Sequence, residues 1–110
     1  MINSILQTSD ELEFFEKVLE VTQHPAWRGA IDEGTAIALL QPQPPMTYLI
    51  RQDLQKEYHY WLSHKKATGE FHHRHFMISR FSDGYLFQNY QAPPSEDLDR
   101  FIQGALACKD

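Results

Sequence analysis

One arginine carries the sharpest chemical signal in the sequence, because of what precedes it in Thr47-Tyr48-Leu49-Ile50-Arg51. Tyr48, Leu49 and Ile50 are large and apolar in unbroken succession, the pattern of a central strand covered on both faces. Arg51 closes that run and therefore starts inside the protein. A guanidinium taken out of water costs several kcal/mol unless a partner satisfies it, so the position calls for an internal carboxylate or a bound anion. Glu33 and Asp53 are the candidate carboxylates, and pairing with either would make Arg51 part of a structural ion pair.

A second cluster, His72-His73-Arg74-His75, raises metal chemistry, since His73 and His75 alternate onto one strand face and could point at one ion. No third ligand is evident, and adjacent strand histidines more often meet solvent or pack against rings, so neither a metal nor a cofactor is expected. Catalysis is not expected either. Cys108 lies next to the C-terminus, and neither a Gly-rich phosphate loop nor a serine nucleophile motif is present. Tyr58, Tyr60, Trp61 and Phe76 interleave with Lys65, Lys66 and Arg74, a pattern that could stack bases. The net charge of −5 supplies no field for a polyanion, so nucleic acid is not an expected partner and any anion site must be a local pocket.

These residues must be positioned by one core, because 110 residues with 42% apolar content suit a single compact domain. A lone cysteine permits no intrachain disulfide, which fits an intracellular, cytoplasmic site. Residues 1–7 lack the features of a signal peptide, and no segment approaches the roughly 18 apolar residues of a membrane span. Thr8 with Glu11 forms a capping box for a first helix to about Val21, whose apolar stripe is Leu12, Phe15, Val18 and Leu19. That stripe is expected to pack on the domain.

His24-Pro25 interrupts the helix, and Ala26-Trp27-Arg28-Gly29 connects it to a second one capped by Asp32, with Ala36, Ile37, Leu39 and Leu40 apolar and Gln41-Pro42 as the stop. The strand from Met46 to about Gln52 pairs antiparallel with Tyr58 to Ser63 across a polar loop. Phe71 to Ser79 follows as a strand with Arg74, Phe76 and Ile78 on one face and His73, His75 and Met77 on the other. After a turn at Ser82-Asp83-Gly84 come the short strand Tyr85-Leu86-Phe87, a Pro93-Pro94 breaker and a last helix capped by Ser95, with Leu98, Phe101, Ile102, Ala105 and Leu106 buried. The class is α+β: a central antiparallel sheet flanked by two helices, with an extra N-terminal helix.

Trp27-Arg28-Gly29, the helix ending Ala38-Leu39-Leu40, Thr47 to Arg51, Tyr60-Trp61-Leu62-Ser63, His73 to Ile78, Gly84-Tyr85 and Asp97-Leu98 to Leu106 stand in an order and at spacings that resemble an SH2 domain. The resemblance covers about Trp27 to Leu106, dividing the chain into a mainly helical N-terminal extension, 1–24, and an SH2-like domain, 25–110. It implies a phosphotyrosine-binding module with tyrosine-phosphorylated proteins or peptides as partners, in which Arg51 grips the phosphate from the pocket floor. By the same carry-over His75, Ser63, Lys56, Trp61 and Met77 border the phosphotyrosine, Trp61 as an aromatic wall and Met77 against the ring, while Phe76 and Arg74 meet the peptide beyond it.

Departures accompany the likeness. Glu33 stands where such domains place a second arginine, and Asp53 where they place a small hydroxyl residue, so two carboxylates border the expected site; Lys56, Arg28, Lys65 or Lys66 could compensate. The sequence ends after its last helix, without the loop and strand that read residues following the phosphotyrosine, so selectivity for flanking sequence is expected to be low. Trimmed forms of this kind are similar to SH2 domains of bacterial effectors acting in host cytoplasm. The alternative is an interaction domain that kept the fold and lost phosphate binding.

Overall fold

The computed structural model describes residues 9–79, 84–87 and 95–107. In chain order these form α1 (Ser9–Thr22), α2 (Glu33–Leu40), β1 (Tyr48–Gln52), β2 (His59–Lys65), β3 (Phe71–Ile78), β4 (Tyr85–Phe87) and α3 (Leu98–Leu106). The strands make one antiparallel sheet in the order β1-β2-β3-β4. No helix among the described residues is long and apolar enough to cross a membrane.

β1 is central despite its place in that order. The segment 26–29 runs along its outer edge: Ile50 N–H donates to Ala26 O at 2.9 Å, Arg28 N–H to Ile50 O at 2.8 Å and Gln52 N–H to Gly29 O at 2.9 Å. The connector expected around Trp27 thus serves as a parallel edge cover that satisfies β1's free backbone groups. Trp27 packs edge-on against Tyr60, with ring centroids 5.9 Å apart.

Alternation along the strands sorts side chains onto two unequal faces. Ile50, Tyr60, Leu62, Phe76, Ile78, Tyr85 and Phe87 meet Val21 of α1 and Leu98, Phe101, Ile102 and Ala105 of α3 in the main core. On the other face Leu49 meets Ala36 and Leu40 of α2, joined at the margin by Ile31 and Phe71. Asp32 caps α2 as its residue type predicts, accepting from Thr35 N–H at 2.8 Å. The ammonium of Lys65 donates to the carbonyls of Gln41 and Gln43 at 2.8 and 2.9 Å, pinning the C-terminal end of α2 to β2. Only Ala36 and Leu40 of the expected α2 stripe are buried, and Leu39 faces outward.

Two expectations are corrected. On α1 the buried side is Phe14, Val18 and Val21, whereas Leu12, Phe15 and Leu19 are 52%, 50% and 50% exposed. This side of the helix is held by the Tyr85 hydroxyl of β4, which bonds to the Glu20 carboxylate and lies 3.2 Å from Lys17 O, and by Tyr58, whose ring meets Phe14 edge-on at 5.0 Å. At α3 the cap is Asp97, whose carboxylate accepts from Arg100 N–H at 3.1 Å. Ser95 instead bridges Tyr85, exchanging backbone bonds of 2.8 and 2.9 Å. Gly84 permits that bridge, since a Cβ there would collide with the backbone of Ser95. Thr8, Pro93 and Pro94 lie outside the described residues.

Candidate functional site

Register assembles the site on the α2 face. Arg51 stands opposite Trp61 and Leu49 opposite Ser63 in the β1/β2 pair, while Trp61 faces His75 and Ser63 faces His73 across β2/β3. Odd-numbered residues of three adjacent strands therefore project together, with His59 and Met77 paired at one end.

Arg51 is 5% exposed, as the apolar run ahead of it predicts. Its Nε donates to Ser63 Oγ at 3.0 Å, and Ser63 Oγ lies 2.8 Å from His73 Nδ1. One polar chain thus crosses three strands. The guanidinium carbon sits 5.2 Å from the centre of the Trp61 ring, within range of a cation–π contact. His75 packs between Trp61, at 5.0 Å, and His59, at 5.1 Å in a stacked arrangement that brings His59 Nδ1 to 3.2 Å from His75 Nε2.

The ion-pair alternative for Arg51 is not realised. Neither Glu33 nor Asp53 lies within ion-pair distance, and the one ion pair among the described residues is His24 with Asp99. Asp53 is held by other donors. Its Oδ1 accepts from the Trp61 indole at 2.8 Å, and its Oδ2 accepts from the N–H groups of Gln55 and Lys56 at 3.0 and 2.7 Å. Gln52 Nε2 ties the same loop from inside, donating to the carbonyls of Asp53, Lys56 and His59 at 3.2, 3.1 and 3.2 Å. The β1–β2 loop is thus closed on its own carboxylate, an Asx-type turn.

Burial lowers the Arg51 pKa, opposed by Glu33, Asp32 and Asp53, and a guanidinium starts so high that it stays charged. Burial works against the Asp53 carboxylate, but the Trp61 indole and the two loop amides more than offset it, leaving its pKa below the ordinary value. His73 is lowered by burial first, with Glu33 opposing and Arg51 and His72 assisting. His59 is lowered by burial, then by His75 and Lys56.

Arg51, Ser63, Trp61 and His75 lie together on one face of the sheet. Met77 shares their face at the β3–β4 end, and Lys56 is exposed on the loop with no side-chain partner among the described residues. Arg74 and Phe76 do not join them. Even-numbered residues of β3 face α3, so Arg74 lies 4.0 Å over the Phe87 ring and Phe76 is wholly buried against Tyr60 and Phe101. The expected packing of Phe76 beneath a peptide finds no exposed surface there. Arg28 and Lys65 are engaged elsewhere, Arg28 with the carbonyls of Pro25 and Trp27 at 2.9 Å each and Lys65 at the end of α2. His73 is the residue missed, although alternation places it on the same face as His75.

What remains available on Arg51 is its terminal pair of nitrogens, neither of which has a hydrogen-bond partner among the described residues. A planar fork of that kind, buried, charged and held by its Nε, matches two oxygens of one oxyanion.

No protein-family model matches the sequence, and no curated protein matches it. Among solved structures the chain is similar to a tandem SH2 domain of the transcription elongation factor Spt6, which binds the phosphorylated RNA polymerase II C-terminal repeat domain. Identity there is 12% over 88% of this chain and 51% of that one, with a TM-score of 0.66. LeSH of Legionella longbeachae, solved with a phosphotyrosine peptide of human DnaJ-A1, is 16% identical over 74% of this chain and 56% of its own, with a TM-score of 0.46. The chain spans about half the length of these solved structures. The fold of this chain, a four-stranded antiparallel sheet between α2 on one face and α3 on the other, is SH2-like.

Proposed function

We propose that this chain is a phosphotyrosine-binding module that docks onto tyrosine-phosphorylated proteins. The observation that carries the reading is Arg51, a charged guanidinium 5% exposed, without an ion-pair partner among the described residues, whose fork stays open beside Trp61. A phosphate monoester brings close to two negative charges and acceptor oxygens suited to that fork. Depth favours phosphotyrosine, because the shorter phosphoserine side chain would not carry its phosphate to a buried guanidinium.

In this reading Arg51 and Ser63 hold the phosphate, Trp61, His75 and Met77 border the ring, and Lys56 adds charge from the loop. Affinity is concentrated in the pocket and flanking residues are read weakly, since Phe76 is buried and Arg74 lies on the far side of the sheet. The chain acts as a binding module, not an enzyme, in a cytoplasm that holds tyrosine-phosphorylated proteins, including a host's if it is a secreted effector. The Spt6 likeness supports the fold on which phosphopeptide recognition rests there.

A second reading, an interaction domain that no longer takes phosphate, is favoured by Glu33 facing Arg51 and by the loop amides already occupied by Asp53. Titration with phosphotyrosyl, phosphoseryl and unphosphorylated forms of one peptide separates the two. Preference for the phosphotyrosyl form is expected, and equal affinity for all three removes the first reading.

A further inference from the structure

We infer that His73 is a proton-linked partner of the bound phosphate: it takes up a proton as the anion enters and, through Ser63, turns a serine hydroxyl toward it. The inference rests on the phosphate reading of Arg51 and adds a residue that the SH2 resemblance does not supply.

Ser63 is fully buried, with Oγ 3.0 Å from Arg51 Nε and 2.8 Å from His73 Nδ1. Arginine can only donate, so the serine oxygen accepts on that side, and the hydroxyl has a single proton to place. Against an unprotonated Nδ1, that proton is directed at His73 and is withheld from any ligand. Against a protonated Nδ1, Ser63 accepts from both neighbours, and its own proton is left for a third atom beside Arg51. His73 Nε2 has no partner among the described residues, so the imidazolium also offers a second donor.

The charges facing His73 favour such an exchange. Glu33 approaches from the first turn of α2, Arg51 from β1, and His72 lies beside it on β3. Without a ligand, burial first, and then the Arg51 and His72 charges, disfavour protonation of the ring against the opposing pull of Glu33. A phosphate dianion on Arg51 reverses that balance, since its charge outweighs the guanidinium it neutralises and sits near the imidazole. Affinity then rises as pH falls through the midpoint of the bound form and levels off below that of the free form.

The test follows the His73 ring itself, because the phosphate titrates near pH 6 as well. The ring resonances of the full chain are measured by NMR between about pH 5 and pH 8, free and saturated with a phosphotyrosyl peptide. The free midpoint is expected below 6.5 and the bound midpoint at least about one unit higher. His73→Gln, which can still bond Ser63, is expected to bind about tenfold more weakly at the acidic end of that range, where the imidazolium contributes most. An unmoved midpoint in a peptide-bound protein, or a His73→Gln variant with unchanged affinity across that range, overturns the inference and leaves the phosphate reading standing. Absence of any peptide-induced shift overturns both.

Discussion

Arg51 and Ser63 face the same side of two paired strands, two residues out of direct register, and the arginine uses Nε rather than its fork to bond the serine at 3.0 Å. The serine thereby fixes the plane of the guanidinium while leaving the paired nitrogens unused. Arg51→Ala is expected to weaken phosphopeptide binding by several kcal/mol while leaving it measurable at high peptide concentration, and Ser63→Ala to weaken it by about 1.5–3 kcal/mol, the worth of a hydrogen bond to a charged group. Calorimetry on both single variants and the double variant checks this. Additive losses would mean that the serine does not act through the arginine.

Glu33 is the carboxylate that acts most strongly on the Arg51 charge and also acts on His73, yet it pairs with neither. It repels an incoming anion. Glu33→Gln is expected to raise phosphopeptide affinity several-fold at low ionic strength, with the gain shrinking in high salt. The same change removes an acidic residue from the first turn of α2 and lowers stability by about 0.3–1 kcal/mol. Titrations at two salt concentrations, with thermal melts alongside, measure both effects.

His64 lies on the opposite face of β2, 3% exposed, with its Nδ1 unpartnered in the described structure. Burial, then the neighbouring His72, holds its pKa down to about 4, against 6.5 in the unfolded chain. Between those values the unfolded chain binds a proton that the folded protein refuses. Stability therefore falls as pH drops from about 6.5 toward 4, by up to about 3 kcal/mol from this residue. Urea unfolding across that range is expected to show the loss in the native protein and to lack it in His64→Leu, apart from carboxylate titration near the lower end.

Gly84 adopts φ +151°, and the backbone of Ser95 crosses where a side chain would begin. Gly84→Ala is expected to destabilise the fold by at least about 1–3 kcal/mol, from backbone strain and from displacement of the Ser95 bridge to Tyr85. Thermal unfolding gives the loss. An unchanged melting temperature would show that the bridge is dispensable.

Much of the frame was legible because local patterns and tertiary demands agree. The run Tyr48-Leu49-Ile50 announced a two-face-buried strand and thereby the depth of Arg51, and alternation along β3 separated His73, His75 and Met77 from Arg74, Phe76 and Ile78. The misreadings arose where two local solutions were equally good. α1 carries apolar residues at 12, 15 and 19 and again at 14, 18 and 21, and contacts distant in sequence accompany burial of the second set: the Tyr85 hydroxyl on the last turn and the Tyr58 ring against Phe14. Ser95 and Asp97 are both acceptable caps, and the Gly84 crossing decides between them. Asp53 was recognised as a charge near the site, but its capture by Trp61 and the loop amides depends on rotamers that no spacing reveals. Phe76 fits a peptide contact by resemblance alone, and the packing of α3 over its face excludes it.

The inequality of the two cores has a consequence for how the molecule breathes. α1, β4 and α3 share one large apolar cluster, whereas α2 rests on Ala36, Leu40 and Leu49 with marginal help from Ile31 and Phe71. Local opening should therefore begin at α2, with amide hydrogens of that helix exchanging sooner than those of the sheet behind it. The element that brings the Glu33 charge to bear on Arg51 is then also the one most easily lifted, so the carboxylate that opposes an anion sits on the least anchored part of the site.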